Sequence, residues 1–321
     1  MQTVLIFFVP LVFAGGVMIK TTDLWQHYGD VVAVKGLNLE VREGTSFGLV
    51  GPNGAGKTTT IRTLAGLLEP SAGRVEVCGI DLSIGRRAIQ RRTGYMPDDF
   101  GLYEDLKVWE YLDYFGHCYG LSRFERRERI DQLLVMARFS DKKDEFIRTL
   151  SRGMRQRLLV AKTLINNPDV LLLDEPTTGL DPRSRIELRE ILKELAATGR
   201  TMVIASNILY DVSSVCDSLG IMDKGVLLES GTLESLSVKY RRERTVKIYV
   251  VSGIENIEEV LSRDSKVAGI TIEGRVVRLR YEGDSNDMAE LNSRLCEAGI
   301  KCTGLCEDKE TIEDIFLKIT E

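Results

Sequence analysis

The stretch Gly51-Pro52-Asn53-Gly54-Ala55-Gly56-Lys57-Thr58 fits the pattern G-x-x-x-x-G-K-[ST] at every fixed position, and residues of these types at this spacing suit a phosphate chain. Glycines let the backbone close on an anion with its N–H groups turned inward. The lysine ammonium reaches the β- and γ-phosphates, and the threonine hydroxyl ligates Mg²⁺. A second chemical feature lies far downstream, where the apolar run Val170-Leu171-Leu172-Leu173 ends in Asp174-Glu175. Adjacent carboxylates at the tip of a buried strand are costly unless charge chemistry happens there. Asp174 is then a support for Mg²⁺, and Glu175 a general base that polarises an attacking water.

These groups need a strand and a helix to hold them. Residues 46–50 read as a buried strand, and 59–68, opening with Thr59, as a helix with its apolar positions on one side. The loop between them is an anion cradle completed by the helix N-terminus. Upstream, short β segments at 19–24, 31–34, 37–41 and 45–50 are separated by Gly29-Asp30, Lys35-Gly36 and Arg42-Glu43-Gly44, and read as antiparallel strands feeding the loop. A further strand is read at 74–77. From 108 to 163 the apolar period is helical, which marks an all-helical insertion over about 100–163. Strand 169–173, helix 183–198, strand 201–205, helix 209–215 and strands near 219–222 and 226–228 then describe a doubly wound α/β core.

The chain has 321 residues, 43% of them hydrophobic and 28% charged, enough for two domains with real cores. Its net charge of −5 argues against a nucleic-acid partner, and Arg86, Arg87, Arg91 and Arg92 read as a solvated face. Six scattered cysteines without a CxxC pair, and two histidines, His27 and His117, lack the spacing of a metal site and suit a reducing cytosol. Residues 1–17 form an apolar extension that contains Pro10 and has no preceding Lys or Arg. This is too short for a bilayer span and lacks the start of a signal peptide, so translation is expected to begin at Met18, the alternative being a peripheral membrane-contacting or self-packed segment. The α/β part is read over 18–240, with a boundary in the polar run 239–244. Over 241–321 the order is β-α-β-β-α-β plus a closing helix at 311–319, the pattern of a small ferredoxin-like α+β domain.

With Leu150-Ser151-Arg152-Gly153-Met154-Arg155-Gln156-Arg157, and with Asp174-Glu175-Pro176-Thr177-Thr178-Gly179-Leu180-Asp181-Pro182, residues 19–236 resemble the nucleotide-binding subunit of ATP-binding-cassette (ABC) transporters. The resemblance implies a P-loop NTPase cassette, with an antiparallel β subdomain and a helical insertion, that uses ATP and Mg²⁺. It implies that Tyr28 stacks on adenine, and that two subunits pair head to tail, as a homodimer or as a heterodimer with a second ABC ATPase. Ser151 and the backbone of Gly153 would then touch the γ-phosphate held by the opposite subunit, and Asp181, in the loop that follows the Asp174-Glu175 motif, would join the nucleotide-binding residues. The ending 311–320 is similar to that of type-2, DrrA-like ATPase subunits of prokaryotic exporters. There the membrane permease subunits are separate polypeptides, and the ATPase sits on the cytoplasmic face of the cell membrane.

Three residues depart from the family pattern. Arg152 replaces a glycine in the signature. Asp98 replaces the glutamine after strand 93–96 and is expected to serve as a Mg²⁺ ligand with added negative charge. Asn207 replaces the switch histidine. An amide donates a hydrogen bond but carries neither proton nor charge, so the expectation is slow hydrolysis that still uses Glu175. The alternative is an ATP-gated binding switch that regulates a partner without transporting anything.

Overall fold

Buried and exposed residues alternate along Val17–Tyr28 (β1) and Val31–Arg42 (β2), so the two strands pair antiparallel with one face covered. The computed structural model describes residues 15–98, 101–240, 245–308, 316 and 319. Most of the N-terminal extension and of the closing helix 311–319 thus lies outside the described residues. β2 runs unbroken through Lys35-Gly36, where the sequence suggests two strands. Gly36 adopts φ +59, and the pairing steps from Leu24↔Leu37 to Gln26↔Val34. The extra residue is absorbed as a bulge, which bends a strand without ending it.

Ser46–Val50 (β3) does not join that sheet, contrary to the antiparallel reading of 45–50. All five of its residues are buried, and it lies parallel between two later strands. A strand covered on both faces belongs at the centre of a parallel sheet. Lys57–Leu64 (α1) follows the phosphate loop and stops short of residue 68. Gly66, at φ +67, donates to Thr63 O at 3.0 Å, and Leu67 N donates to Arg62 O at 2.9 Å. That pair of bonds is a Schellman closure, which takes glycine for its left-handed residue.

The chain continues through Ala72–Val77 (β4), Ile80–Asp81 (β5), Leu82–Arg92 (α2), Thr93–Met96 (β6), Val108–Cys118 (α3), Arg123–Met136 (α4) and Arg152–Thr163 (α5). Next come Val170–Asp174 (β7), Pro182–Ala197 (α6), Thr201–Ser206 (β8), Leu209–Ser213 (α7), Ser218–Asp223 (β9) and Val226–Thr232 (β10). The antiparallel sheet has the order β2-β1-β4-β5, and the main sheet the order β10-β9-β3-β8-β7-β6. The main sheet is parallel except for β10, which pairs antiparallel with β9. One core serves both sheets: Val34 and Leu39 of β2, Leu49 of β3, Val203 of β8 and Ile61 and Leu64 of α1 are all buried in it. This fixes α1, and with it the phosphate loop, between the two sheets. The helices α3, α4 and α5 occupy the segment read as a helical insertion.

A second compact unit begins at Glu234, within Leu233–Tyr240 (α8). Thr245–Ser252 (β11), Ile257–Ser262 (α9), Val267–Glu273 (β12), Val276–Tyr281 (β13), Ser285–Glu297 (α10) and Lys301–Asp308 (β14) follow in the expected order. Their sheet has the order β12-β13-β11-β14 and is antiparallel throughout, the ferredoxin-like arrangement. Val277, Leu279 and Tyr281 alternate inward from β13 onto Leu291 and Leu295 of α10.

Candidate nucleotide site

The phosphate loop is shaped by what surrounds it. A Cβ on Gly51 would lie 2.2 Å from Met222 O, and one on Gly56 would lie 2.5 Å from Ala33 O in a backbone already at φ +100. Only glycine lets the loop pass between β2 and the end of β9. Ala55 is buried, and its carbonyl accepts from Gly225 N at 3.1 Å, while Pro52, Asn53 and Gly54 face outward. Lys57, 5% exposed, donates from Nζ to Gly51 O at 2.8 Å and to Pro52 O at 3.1 Å. The loop is thus curled around its own ammonium. Lys57, Thr58 and Thr59 open α1, where backbone N–H groups have no partner within the helix and are available to an anion.

Asp174 ends β7 with no solvent exposure. Thr58 Oγ1 donates to its Oδ1 at 3.1 Å, whereas Oδ2 has no hydrogen-bond partner among the described residues. Burial pushes this carboxyl up to about 6. The Thr58 hydrogen bond works the other way, and the charges of Asp98 and Glu175 add to the rise. An unused carboxylate oxygen beside a threonine hydroxyl and further acidic charge is a donor set suited to a hard cation such as Mg²⁺. Among the described residues no group of three or more His, Cys, Asp or Glu side chains forms a metal cluster, so such a cation would depend on Thr58 and phosphate oxygens besides Asp174. Asp98 is exposed, yet near enough to act on the charge of Asp174.

Glu175 has φ +48, a left-handed conformation that is strained for a residue with a Cβ. The chain holds it there through Glu175 N, which donates to Ala205 O at 2.8 Å. The turn brings its carboxylate, 7% exposed, back over the phosphate loop. Oε2 accepts from Thr178 Oγ1 at 2.8 Å, Ser206 Oγ at 3.3 Å and Asn207 N at 3.3 Å. Oε1 lies 3.5 Å from Lys57 Nζ. The exposed Asn207 also donates from Nδ2 to Asn53 Oδ1 at 3.3 Å. The structure therefore brings together Asn53, Lys57, Thr58, Asp174, Glu175 and Asn207, with Asp98 beside them. Neither Thr178 nor Ser206 stands out in the sequence as a site residue, although Thr178 lies in the run that starts at Asp174.

Tyr28 ends β1 opposite Val31 and is 47% exposed, so a ring face is open to a planar base. Ser151 caps α5, accepting from Met154 N at 3.3 Å, and Asp181 caps α6, accepting from Ser184 N at 3.0 Å. The two caps belong to adjoining helix ends, because a Cβ on the buried Gly153 would fall 2.3 Å from Ser184 Oγ. Ser151 and Gly153 are thus engaged with α5 and α6 rather than with the phosphate loop of their own subunit.

A family model described as ABC transporter matches residues 34–178. The Nod factor export ATP-binding protein I of Ralstonia nicotianae is 42% identical over 306 residues, which cover 94% of each chain. The daunorubicin resistance ATP-binding protein DrrA3 of Streptomyces coeruleorubidus is 33% identical, over 92% of this chain and 93% of its own. Among solved structures, the dimeric post-hydrolysis state of the ATP-binding cassette MJ0796, bound to ADP and Pi, aligns with a TM-score of 0.61 at 26% identity. The alignment covers 67% of this chain and 99% of that one.

Proposed function

The chain belongs to the ABC transporter family as an ATP-binding subunit, and on that premise we propose that it hydrolyses ATP to power export through separate membrane permease subunits. The observation that carries the reading is the placement of the Glu175 carboxylate, 3.5 Å from Lys57 Nζ and held by three donors at the mouth of the phosphate loop. Such a carboxylate is oriented to accept a proton from a water attacking a bound phosphoryl group.

The residues divide the work. The loop Gly51–Thr59, with Lys57, would hold the phosphates, Tyr28 the adenine, and Thr58, Asp174 and Asp98 a Mg²⁺ ion. The cation neutralises phosphate charge when bound. Ser151 and Gly153 lie on the end of α5 that a head-to-tail partner would meet, whether a second copy or a paralogue. Asn207 supplies a hydrogen-bond donor where a proton carrier would speed turnover, which makes hydrolysis slow. No helix among the described residues is long and apolar enough to cross a membrane. The reading puts the chain at the cytoplasmic face of the cell membrane, bound to subunits that supply the spans. Named relatives that act in export and drug resistance support this direction of transport.

Purification of the tagged protein from its native membrane in mild detergent, followed by mass spectrometry, tests the assignment. A stoichiometric polytopic membrane protein is expected. Recovery without one would turn the reading to an ATP-gated switch, for which Asn207 and slow hydrolysis are suited.

A further inference from the structure

Arg152, the first residue of α5, places a cation at the positive end of a helix dipole, where charge of that sign is unfavourable. Its side chain turns away from the helix and folds over the turn that follows Glu175. Nη2 donates to Thr178 O at 3.4 Å. The guanidinium also covers Gly179 so closely that a Cβ there would lie 2.4 Å from Nη2 and 2.5 Å from Cζ. Gly179 has φ +71, so absence of a side chain serves both its backbone and this close approach. Two more contacts join the same segments: Gln156 Nε2 donates to Pro176 O at 3.1 Å, and Gly153 abuts Ser184. The first turns of α5 thus splint the chain from Pro176 to Ser184.

The splint reaches the catalytic carboxylate through one residue. Thr178, whose carbonyl Arg152 holds, donates from Oγ1 to Glu175 Oε2 at 2.8 Å, the shortest of the three bonds on that oxygen. We infer that Arg152 is a positioning residue for Glu175, clamping the Thr178–Gly179 peptide so that the Thr178 hydroxyl meets the carboxylate from a fixed direction. Arg152 stands between Ser151 and Gly153, so a movement at the start of α5 is passed to Glu175 through one guanidinium and one turn. The inference rests on the proposed hydrolysis for its consequence, but the clamp itself consists of contacts within the chain.

The test uses the full-length protein as wild type, Arg152→Ala, Arg152→Lys, Thr178→Val and the Arg152→Ala/Thr178→Val double variant. Backbone hydrogen exchange over 176–181 and steady-state phosphate release are measured on each. In Arg152→Ala the segment exchanges several-fold faster, and kcat falls roughly tenfold with KM unchanged, because misplacing a catalytic group costs rate rather than binding. Arg152→Lys recovers part of both. In the Thr178→Val background, loss of Arg152 adds little, since the two act along one path. Unchanged exchange in Arg152→Ala, or fully additive rate losses in the double variant, overturns the clamp. A wild type that releases no phosphate, with exchange still accelerated in Arg152→Ala, would count against the hydrolysis reading and leave the clamp standing.

Discussion

Asn207 bridges two parts of the site: its side-chain amide donates to Asn53 Oδ1 at 3.3 Å, and its backbone N–H to Glu175 Oε2 at 3.3 Å. The phosphate loop and the carboxylate that would act on its ligand are thereby joined through a residue without an ionisable side chain. Position is provided by this residue, and proton transfer is not.

Asn207→His is accordingly expected to raise the kcat of Mg²⁺-dependent phosphate release roughly ten- to a hundredfold, because an imidazole titrates near neutral pH and a positioned acid or base is worth at least that much. Asn207→Ala should slow it, through loss of the Asn53 contact. The check is a side-by-side rate measurement at saturating ATP. A wild type already as fast as the histidine variant would remove Asn207 as the limit.

The loop glycines predict a contrast that separates steric cost from backbone cost. At Gly56 a Cβ meets Ala33 O at 2.5 Å in addition to φ +100, whereas at Gly54, with φ +82, the space is open. Gly54→Ala should cost only the left-handed penalty of about 1–2 kcal/mol. Gly56→Ala must also push β2 away from the loop, so it should lose more stability and abolish nucleotide binding. Thermal melts with and without ATP measure both effects, and equal behaviour of the two variants would contradict the geometry.

How far the site was legible follows from how local each piece is. The run Gly51 to Thr58 and the pair Asp174-Glu175 carry their chemistry in adjacent residues, so their roles stand out from composition and spacing. The alternation along β13, and the order of elements in the second unit, are local in the same way. Partners brought in from afar are different. That β3 lies between β8 and β9 depends on strands more than a hundred residues away, and nothing within Ser46–Val50 names them. The bulge at Gly36 looked like a strand end, since a Lys-Gly pair reads the same in a turn. Ser206 and Thr178 converge on Glu175 only because its backbone takes φ +48, a twist that no pattern of residue types announces. The α1 stop was within reach: Gly66 followed by Leu67 is the residue pair of a Schellman closure.

Burial disfavours the charged form of Asp174: Oδ2 has no hydrogen-bond partner among the described residues, and the carboxyl is pushed up to about 6. In metal-free protein at neutral pH, Asp174→Asn should therefore be stabilising, on the order of 3 kcal/mol, since the rise from 3.8 to about 6 spans a little over two pKa units at about 1.4 kcal/mol each. The same change should remove the gain in ATP affinity that Mg²⁺ confers on the wild type. Calorimetric titrations with Mg²⁺ and with a chelator, alongside melting curves, test both halves. A variant that is less stable without metal, or that keeps the full Mg²⁺ effect, would rule out Asp174 as the cation support.

Single-turnover phosphate release with Mg²⁺, followed in wild type and in Glu175→Gln, shows whether Glu175 drives conversion of bound ATP into ADP and phosphate. The substitution keeps the size of the side chain and its contacts with Thr178 and Ser206, but removes the base. Slow, measurable release by wild type is expected, with a fall of at least a hundredfold in Glu175→Gln and ATP binding retained. Equal rates in the two proteins would exclude Glu175 as the base.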